Sequence, residues 1–234
     1  RDVRRSRGLG DVYKRQLEGL AQHFIRNGFD MKDLIRTICQ SQAYQLSSIP
    51  NEFNAKDKTY FSRYYPKRLN AEVLYDAINQ MTDSQANFSG LPVGTRAVQL
   101  PDNSFNSQSY VLTVFGRPDS SSSCECERSS DASLAQSLHL LNSKDIQSKL
   151  SSGSGRAAKL GNTNDKREAE EKIRELFLLA FSREPSGSEV LLARQHLERE
   201  TEDDKGVKKA VPQKESYEDI IWALFNTKEF LFNH

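Results

Sequence analysis

The chain has 234 residues, of which 36% are hydrophobic and 28% are charged, and its mean hydropathy of -0.69 is polar. A formal net charge of +1 predicts no general affinity for nucleic acid or acidic membranes. No apolar run approaches the ~20 residues that a membrane-spanning helix needs. The length allows one large domain or two small ones, provided that the apolar residues are concentrated on a few helix faces.

Residues 1–16 do not fit the pattern of a folded domain. Arg1 to Gly10 is basic and has neither helical nor strand periodicity. The next six residues, Asp11-Val12-Tyr13-Lys14-Arg15-Gln16, resemble the conceptual translation of a common transposon-end sequencing adaptor. We therefore interpret residues 1–16 as a disordered assembly scar, with a genuine basic N-terminal arm as the alternative. Without this segment the chain has more acidic than basic residues, which weakens a nucleic-acid interpretation further.

Two helices are predicted before residue 50. The first carries apolar residues at helical spacing from Leu17 to Ile25 and ends near Asn27-Gly28, a natural C-cap. Asp30 can cap the second helix, whose apolar residues recur on one stripe as far as Cys39. Because the connecting turn is short, the two helices should pack as a hairpin.

The central region of the chain mixes helical and extended patterns. A polar and aromatic stretch leads to a helix that Asn70 can cap. An irregular insertion follows at about 90–128. Within it, the apolar segments 96–100 and 110–115 are bracketed by Gly and Pro, which predicts short strands or extended segments.

The C-terminal third of the chain begins with a polar stretch. Residues 151–164 are rich in Ser, Gly and Asn, which predicts a flexible linker. Beyond it, Arg183-Glu184-Pro185 ends one helix and Ser186-Gly187-Ser188-Glu189 forms a capping box for the next. The predicted fold is mainly α, with helical hairpins around a helical core and a short extended or β insertion. Its predicted parts are a helical subdomain over 17–150 that holds this insertion, the linker over 151–164 and a C-terminal three-helix subdomain over 165–234.

The most reactive-looking feature is the pair Cys124 and Cys126. Alternate residues of an extended segment point to opposite sides, so a simple strand would not aim both sulfurs at one metal. A structural zinc site needs two further ligands, and the other Cys and His residues are scattered without metal-ligand spacing. No metal site is therefore predicted. A disulfide involving Cys124 or Cys126, if the protein is exported, and a pair of ordinary thiols in a polar loop remain as alternatives.

No catalytic motif occurs in the sequence. There is no C-x-x-C-H motif for covalent haem, and no P-loop, G-x-G-x-x-G or G-x-S-x-G pattern. His139 lies among apolar residues, and no spacing identifies an orienting carboxylate or a nucleophile for it. We interpret His139 as a buried residue with local hydrogen bonds, and predict no catalytic, cofactor-binding or metal-binding residue.

Basic side chains alternate with aromatic rings between residues 60 and 68. Such rings can stack on sugars or bases, and the guanidinium groups of Arg63 and Arg68 could hold phosphate or carboxylate. We favour a packing segment whose rings enter the core while the cations stay in water. The irregular middle region holds Arg96, Arg117 and Arg128 together with Asp102, Asp119 and Glu127, and for these residues we favour buried ion pairs that fix the insertion.

Several short motifs follow one another in a fixed order. They are Leu34-Ile35-Arg36, Ser41-Gln42-Ala43-Tyr44-Gln45-Leu46-Ser47-Ser48, Arg68-Leu69-Asn70-Ala71-Glu72, Phe115-Gly116-Arg117-Pro118, Cys124-Glu125-Cys126-Glu127-Arg128, Ser137-Leu138-His139-Leu140-Leu141-Asn142-Ser143, Phe181-Ser182-Arg183-Glu184-Pro185 and Ala223-Leu224-Phe225-Asn226-Thr227-Lys228-Glu229-Phe230. Each motif is weak alone, but the order resembles a planctomycete-type domain of unknown function at the C-terminal end of large cytochrome-c-like proteins. The resemblance covers roughly Leu17 to His234.

The resemblance implies a C-terminal fragment of an exported bacterial protein, located in the periplasm or at the cell surface. Haem c would belong to upstream domains, and no cofactor is expected in this fragment. The expected partners are the upstream domains of the same chain, and another exported protein or a polysaccharide, with neither nucleic acid nor a membrane span. The resemblance transfers no established activity and therefore no catalytic residue.

Three hypotheses for the function follow. The first is a non-catalytic structural or interaction domain of a larger exported, redox-linked multidomain protein. The second is an enzyme or enzyme subunit that acts on extracellular polysaccharide. Its site would gather Arg63, Arg68, Arg117, Cys124, Cys126, Arg128 and His139 in one cleft. The third is a sugar-binding module that grips its ligand with the rings of Tyr64 and Tyr65.

Overall fold

The computed structural model describes residues 9–118, 142–202 and 208–233. The chain forms two compact units that divide between Pro66 and Lys67. The first unit contains helices α1 (Leu9–Arg26) and α2 (Met31–Cys39). The helices of the second unit are α3 (Ala71–Thr82), α4 (Tyr110–Val114), α5 (Lys144–Leu150), α6 (Arg156–Leu160), α7 (Ala169–Phe181), α8 (Gly187–Leu197), α9 (Gln213–Phe225) and α10 (Lys228–Leu231).

Helices α1 and α2 form the predicted hairpin. The turn between them is left-handed, with φ angles of 66° at Gly28 and 64° at Phe29. Asp30 caps α2, because its carboxylate accepts hydrogen bonds from the backbone N–H groups of Lys32 at 2.8 Å and Asp33 at 3.2 Å. The N-cap predicted at Asp30 is therefore confirmed.

Helix α1 begins at Leu9, inside the segment that was predicted to be disordered. Once a helix is nucleated, each further residue adds one hydrogen bond, and residues 9–16 contain no Pro that would stop the extension. Residues 9–16 thus differ from the prediction of disorder, whereas residues 1–8 lie outside the described part of the chain.

One apolar core holds the second unit together. The inward face of α3 carries Leu74, Ile78 and Met81, which are completely or almost completely buried. Helix α9 contributes Ile221 and Phe225 to the same core, and helices α5 to α8 add their apolar faces around these two helices. Helix α3 lies near the start of the unit and α9 near its end, so the core joins residues that are far apart in sequence.

Among the described residues, the second unit also contains two short antiparallel strand pairs. Strand β1 (Lys67–Arg68) pairs with β4 (Phe232–Asn233), with Lys67 opposite Asn233 and Arg68 opposite Phe232. Strand β2 (Glu200–Glu202) pairs with β3 (Lys208–Ala210) in the same sense. The predicted mainly α fold with a small β component is confirmed.

The segments 96–100 and 110–115, however, are not strands. Ala97–Gln99 is a 3-10 turn, and Tyr110–Val114 is helix α4. The turn forms because the Asp76 carboxylate accepts the backbone N–H groups of Ala97 at 2.7 Å and Val98 at 3.3 Å. These two hydrogen bonds span 21 and 22 positions of the sequence, so local sequence patterns cannot predict them.

Helix α4 shows why a short apolar run is ambiguous. Its buried residues Val111 and Leu112, together with Phe115 just beyond its end, lie on one helical face. The same run of apolar residues would also suit a buried strand. Only the packing of α4 against α3 decides between the two.

The predicted linker at 151–164 differs most clearly from the structure. It contains helix α6, whose Ala157 and Leu160 are almost fully buried. Gly161 ends α6 so close to α9 that an added Cβ atom would lie 2.5 Å from the backbone nitrogen of Lys214. A composition rich in Gly and Ser here permits close packing rather than flexibility, and the core continues across this segment.

Candidate functional site

The seven residues of the hypothetical polysaccharide site fall into three groups. Arg63 belongs to the first compact unit, while Arg68 and Arg117 belong to the second. The structure brings Arg68 and Arg117 to one segment, because Arg68 contacts Phe115 and Arg117 lies two residues further along the chain. The remaining four, Cys124, Cys126, Arg128 and His139, lie outside the described residues.

Arg117 is held in a buried network. Its Nε lies 3.2 Å from Oε1 of Glu72, and the exposed fractions of the two side chains are only 8% and 10%. Its Nη1 donates to Oδ1 of Asn106 at 2.9 Å, and its Nη2 donates to the backbone oxygen of Asp102 at 2.9 Å. A charge removed from water needs this kind of paired and hydrogen-bonded environment.

Arg68 approaches the same segment from strand β1. Its Nη2 donates to the backbone oxygen of Phe115 at 3.1 Å, and its guanidinium carbon lies 5.7 Å from the centre of the Phe115 ring. Two sequence motifs, Arg68 to Glu72 and Phe115 to Pro118, are thus neighbours in space. We name this contact region the motif junction. Arg117 forms a buried ion pair as predicted, but its partner Glu72 lies in α3, outside the middle region whose acidic residues were expected to pair with it.

Arg63 also has partners within its own unit. Its guanidinium carbon lies 5.0 Å from the centre of the Tyr65 ring, and its Nη1 donates to the backbone oxygen of Ser48 at 3.3 Å. The rings around it do not enter a core as predicted, because Tyr60 is 77% and Phe61 is 61% exposed. Tyr64 and Tyr65, the rings of the sugar-binding hypothesis, are half-buried.

A second cationic centre, Arg183, was not among the predicted site residues. Its Nε donates to Glu229 at 2.5 Å and its Nη2 donates to the other oxygen of that carboxylate at 2.7 Å. Its Nη1 and Nη2 donate to Glu189 at 3.0 and 2.8 Å, and Nη1 also donates to the backbone oxygen of Glu184 at 3.0 Å. All five N–H donors of the guanidinium group are therefore in use.

The Arg183 centre joins three helices. Arg183 follows the C-terminus of α7, Glu189 lies in the first turn of α8, and Glu229 lies in α10. Hydrogen bonds from Arg183 lower the pKa of Glu189 from its ordinary 4.5 to about 2, so this carboxylate stays charged over a wide pH range. We name this group, consisting of Arg183, Glu189 and Glu229, the arginine clamp.

The sequence matches a family model described as PSD1, protein of unknown function (DUF1553), over residues 13–197. This chain belongs to the PSD1 family. The match confirms the part of the resemblance that concerned a domain of unknown function. It spans both halves of the motif junction and two members of the arginine clamp, whereas Glu229 lies beyond it. No curated protein and no solved structure matches the chain significantly.

An apolar cleft of about 330 Å³ lies beside the clamp in the PSD1 chain, between α7, α8, α9 and α10. At its rim, Nε2 of His196 lies 3.3 Å from Oδ2 of Asp219, and Nδ1 lies 3.4 Å from Nη1 of Arg199. Arg199 also donates to the same Asp219 carboxylate. Both ring nitrogens thus have partners, which leaves neither nitrogen placed to act as a general base.

His23 in the first unit has carboxylate and hydroxyl neighbours, as in hydrolytic triads. Its Nε2 lies 2.7 Å from Oδ2 of Asp33 and 3.2 Å from Oγ1 of Thr37. A triad needs the carboxylate on one ring nitrogen and the nucleophile on the other. Here both groups approach the same nitrogen, so the arrangement is a hydrogen-bond cluster that ties α1 to α2.

The described residues show neither a metal cluster nor a membrane span. Among them, no three His, Cys, Asp or Glu side chains meet in a way that could hold a metal ion. None of the described helices is long and apolar enough to cross a membrane. The residues of the motif junction and of the clamp lie within recognisable sequence motifs. The sequence does not show which of them are in contact, because partners such as Glu72 and Arg117 are 45 positions apart.

Proposed function

We propose that this PSD1 chain is a non-catalytic structural or interaction domain of a larger exported, redox-linked multidomain protein. The observation that carries the proposal is the arginine clamp. A guanidinium group that binds substrate must offer free donors, whereas all five donors of Arg183 are bound to groups of the same chain. The arginines of the clamp and of the motif junction therefore form stabilising contacts within the chain.

The motif junction supports the same proposal. The Arg117 side chain is buried, and its three guanidinium nitrogens contact Glu72, Asn106 and Asp102. A catalytic or ligand-binding arginine would be expected at the edge of a cleft, within reach of a molecule from solution. The buried position of Arg117 suits a residue that fixes the chain around α4.

The first unit supports the interaction part of the proposal. Side chains such as Ile49 and Phe53 are 78% and 89% exposed, and the hairpin carries further exposed apolar residues, including Met31 and Ile35. Exposed apolar residues concentrated in one region are typical of surfaces that contact other proteins. The upstream domains of the same chain, or another exported protein, are the partners that we propose.

Turnover assays test the non-catalytic part. The purified chain is incubated with soluble polysaccharides, and the reducing ends that are released are measured. We expect no release above that of an enzyme-free control. Turnover at about 1 s⁻¹ or faster, lost in the Arg68→Ala and Arg117→Ala variants under conditions where they remain folded, would contradict the proposal and favour a polysaccharide-active enzyme.

Sequencing of the source DNA upstream of the Leu17 codon tests the exported, multidomain part. A reading frame that continues through C-x-x-C-H motifs to a signal peptide would support an extracytoplasmic protein with haem c in upstream domains. A frame that encodes Arg1 to Gln16 as written and begins nearby would contradict it.

A further inference from the structure

The turn between α1 and α2 contains the one Asn-Gly dipeptide of the sequence, Asn27-Gly28. Asn27 is exposed, and a Cβ atom added at Gly28 would meet nothing within 4 Å, so the dipeptide is open to water. Asparagine loses its side-chain amide most readily before glycine, because glycine has no side chain to shield its backbone nitrogen. Neither the motif junction nor the arginine clamp uses this turn.

Deamidation at this dipeptide needs only its own groups and water. The backbone nitrogen of Gly28 gives up its proton to water and attacks Cγ of Asn27. The new C–N bond closes a succinimide ring, and the Cγ–Nδ2 bond breaks, so that the nitrogen leaves as ammonia with a proton taken from water. Water then opens the ring. Opening at Cγ gives aspartate, whereas opening at the backbone carbonyl carbon gives isoaspartate, and either product carries a carboxylate where the amide was.

The hydrogen bonds of the turn restrain both reacting groups. The Gly28 N–H donates to the backbone oxygen of Ile25 at 3.1 Å, and Nδ2 of Asn27 donates to Oδ2 of Asp33 at 2.8 Å. The reaction therefore requires the turn to open first. All side chains described between residues 15 and 66 are at least partly exposed, so no core opposes local opening, which should cost little free energy.

The product does not suit the hairpin from which it forms. Oδ2 of Asp33 accepts the amide of Asn27 and also lies 2.7 Å from Nε2 of His23. A carboxylate oxygen in the place of Nδ2 would face this oxygen without a hydrogen between them, and two carboxylates so close disfavour their charged forms. Isoaspartate would also lengthen the backbone beside the left-handed residues Gly28 and Phe29.

We infer that Asn27 is a site of spontaneous deamidation and that the resulting carboxylate keeps the α1–α2 hairpin from closing. The ammonia is lost to solution, so each chain that reacts loses the closed hairpin permanently. The inference concerns the covalent chemistry of the first unit and goes beyond the proposed structural role. The two can fail separately, because neither turnover nor the upstream reading frame bears on the fate of Asn27.

Mass spectrometry of the full chain tests the reaction. The chain is kept in warm neutral buffer, and samples taken over time are digested with trypsin. Cleavage after Arg26 and after Lys32 gives a peptide in which Asn27 is the only side-chain amide. We expect this peptide to gain the mass difference between a carboxylic acid and an amide. The gain should be faster in guanidinium chloride, where the turn is open.

Asn162 is the internal control, because it is exposed but is followed by Thr163. Its peptide should stay unchanged while the Asn27 peptide converts. Two results of this experiment would overturn the inference. One is equal conversion at Asn162 and Asn27. The other is an unchanged Asn27 in buffer at the time when the chain in guanidinium chloride has converted completely.

Two variants separate the new charge from the lost hydrogen bond. Asn27→Asp carries the product, Asn27→Ala lacks only the donor, and both keep Gly28. Hydrogen exchange at the amides of α2 should be about ten-fold faster in Asn27→Asp than in Asn27→Ala, because only the carboxylate repels Asp33. Exchange in α3, within the second unit, should be the same in both. Equal exchange of α2 in the two variants would overturn the effect inferred for the carboxylate.

Discussion

The two compact units are stabilised in different ways. In the first unit, no side chain between residues 15 and 66, the stretch whose side chains the structure describes there, is buried. Its contacts include caps and turns, such as those of Asp30 and Asp57, and the His23 cluster that ties α1 to α2. The second unit buries a continuous core around Leu74 and Ile221. Because apolar burial is the main favourable term in folding, the second unit should unfold cooperatively, whereas the first should open locally at low cost.

The largest effect is expected where the core is deepest. Leu74→Ala removes a completely buried side chain from α3 and should lower the free energy of unfolding by about 2–5 kcal/mol. Ile35→Ala in α2 is the matched control, since that side chain is 55% exposed, and it should cost less than ~0.5 kcal/mol. Urea unfolding measures both. Equal effects would show that the first unit also has a buried core in solution.

The close approach of α6 and α9 predicts the next effect. In Gly161→Ala, the new Cβ atom would meet backbone atoms of Gln213 and Lys214 at 2.5 to 3.0 Å, so one of the two helices must shift. We expect a loss of about 1–3 kcal/mol. Gly153→Ala is the control, because nothing lies within 4 Å of its added Cβ atom. A Gly161→Ala protein as stable as the control would contradict the packing of α6 on α9.

The arginine clamp should contribute less, because it is partly exposed to solvent. Arg183→Lys keeps the charge but loses the two-pronged contacts with Glu229 and Glu189, which should cost about 1–2 kcal/mol. Arg174→Lys is the control. Arg174 and its partner Glu184 are both exposed to solvent, so no change in the melting temperature should be resolved. Similar losses in both variants would contradict the clamp.

The clamp also predicts a dependence on pH. The pKa of Glu189 is lowered in the folded protein from 4.5 to about 2, chiefly by its hydrogen bonds with Arg183. Its contribution is therefore complete above about pH 4.5 and is lost as the pH falls towards 2. Melting temperatures measured across this window should fall less steeply in Glu189→Gln and in Arg183→Met than in the unchanged chain. An unaltered slope in both variants would contradict this assignment.

The smallest global effect is expected in the first unit. The Asp57 carboxylate accepts hydrogen bonds from the backbone of Thr59, Tyr60 and Ser62 and from the Ser62 hydroxyl, which together hold its pKa well below its usual range. Asp57→Ala should accelerate hydrogen exchange at those three amides while leaving the urea midpoint unchanged. Faster exchange throughout α3 would show that the units unfold together, against the contrast drawn above.

Local signals in the sequence predicted those elements that depend on neighbouring residues. The caps at Asp30 and at Ser186, with its reciprocal contact to Glu189, are confirmed because each involves residues only two or three positions apart. The 3-10 turn at Ala97 depends instead on Asp76, and the burial of α6 depends on α9. Such contacts are set by the tertiary fold, so composition and periodicity gave strands and a linker in their place.

The candidate sites follow the same division. Motif order placed Arg68 and Arg117 among the residues to test, and the structure brings them to one junction. The arginine clamp was not predicted as a unit because Arg183 and Glu229 are 46 positions apart and belong to no single short pattern. The four residues Cys124, Cys126, Arg128 and His139 remain predictions, since they lie outside the described residues.

The β1–β4 pair has a mechanical consequence. Lys67, the first residue of the second unit, lies opposite Asn233, its last described residue, so the two ends of the described unit lie side by side. Tension applied across those two ends would load the two-residue ladder first, one hydrogen-bonded pair at a time, before it reached the helices. A pull applied between Lys67 and Asn233 would therefore separate this two-residue ladder at low force while the helices stayed packed.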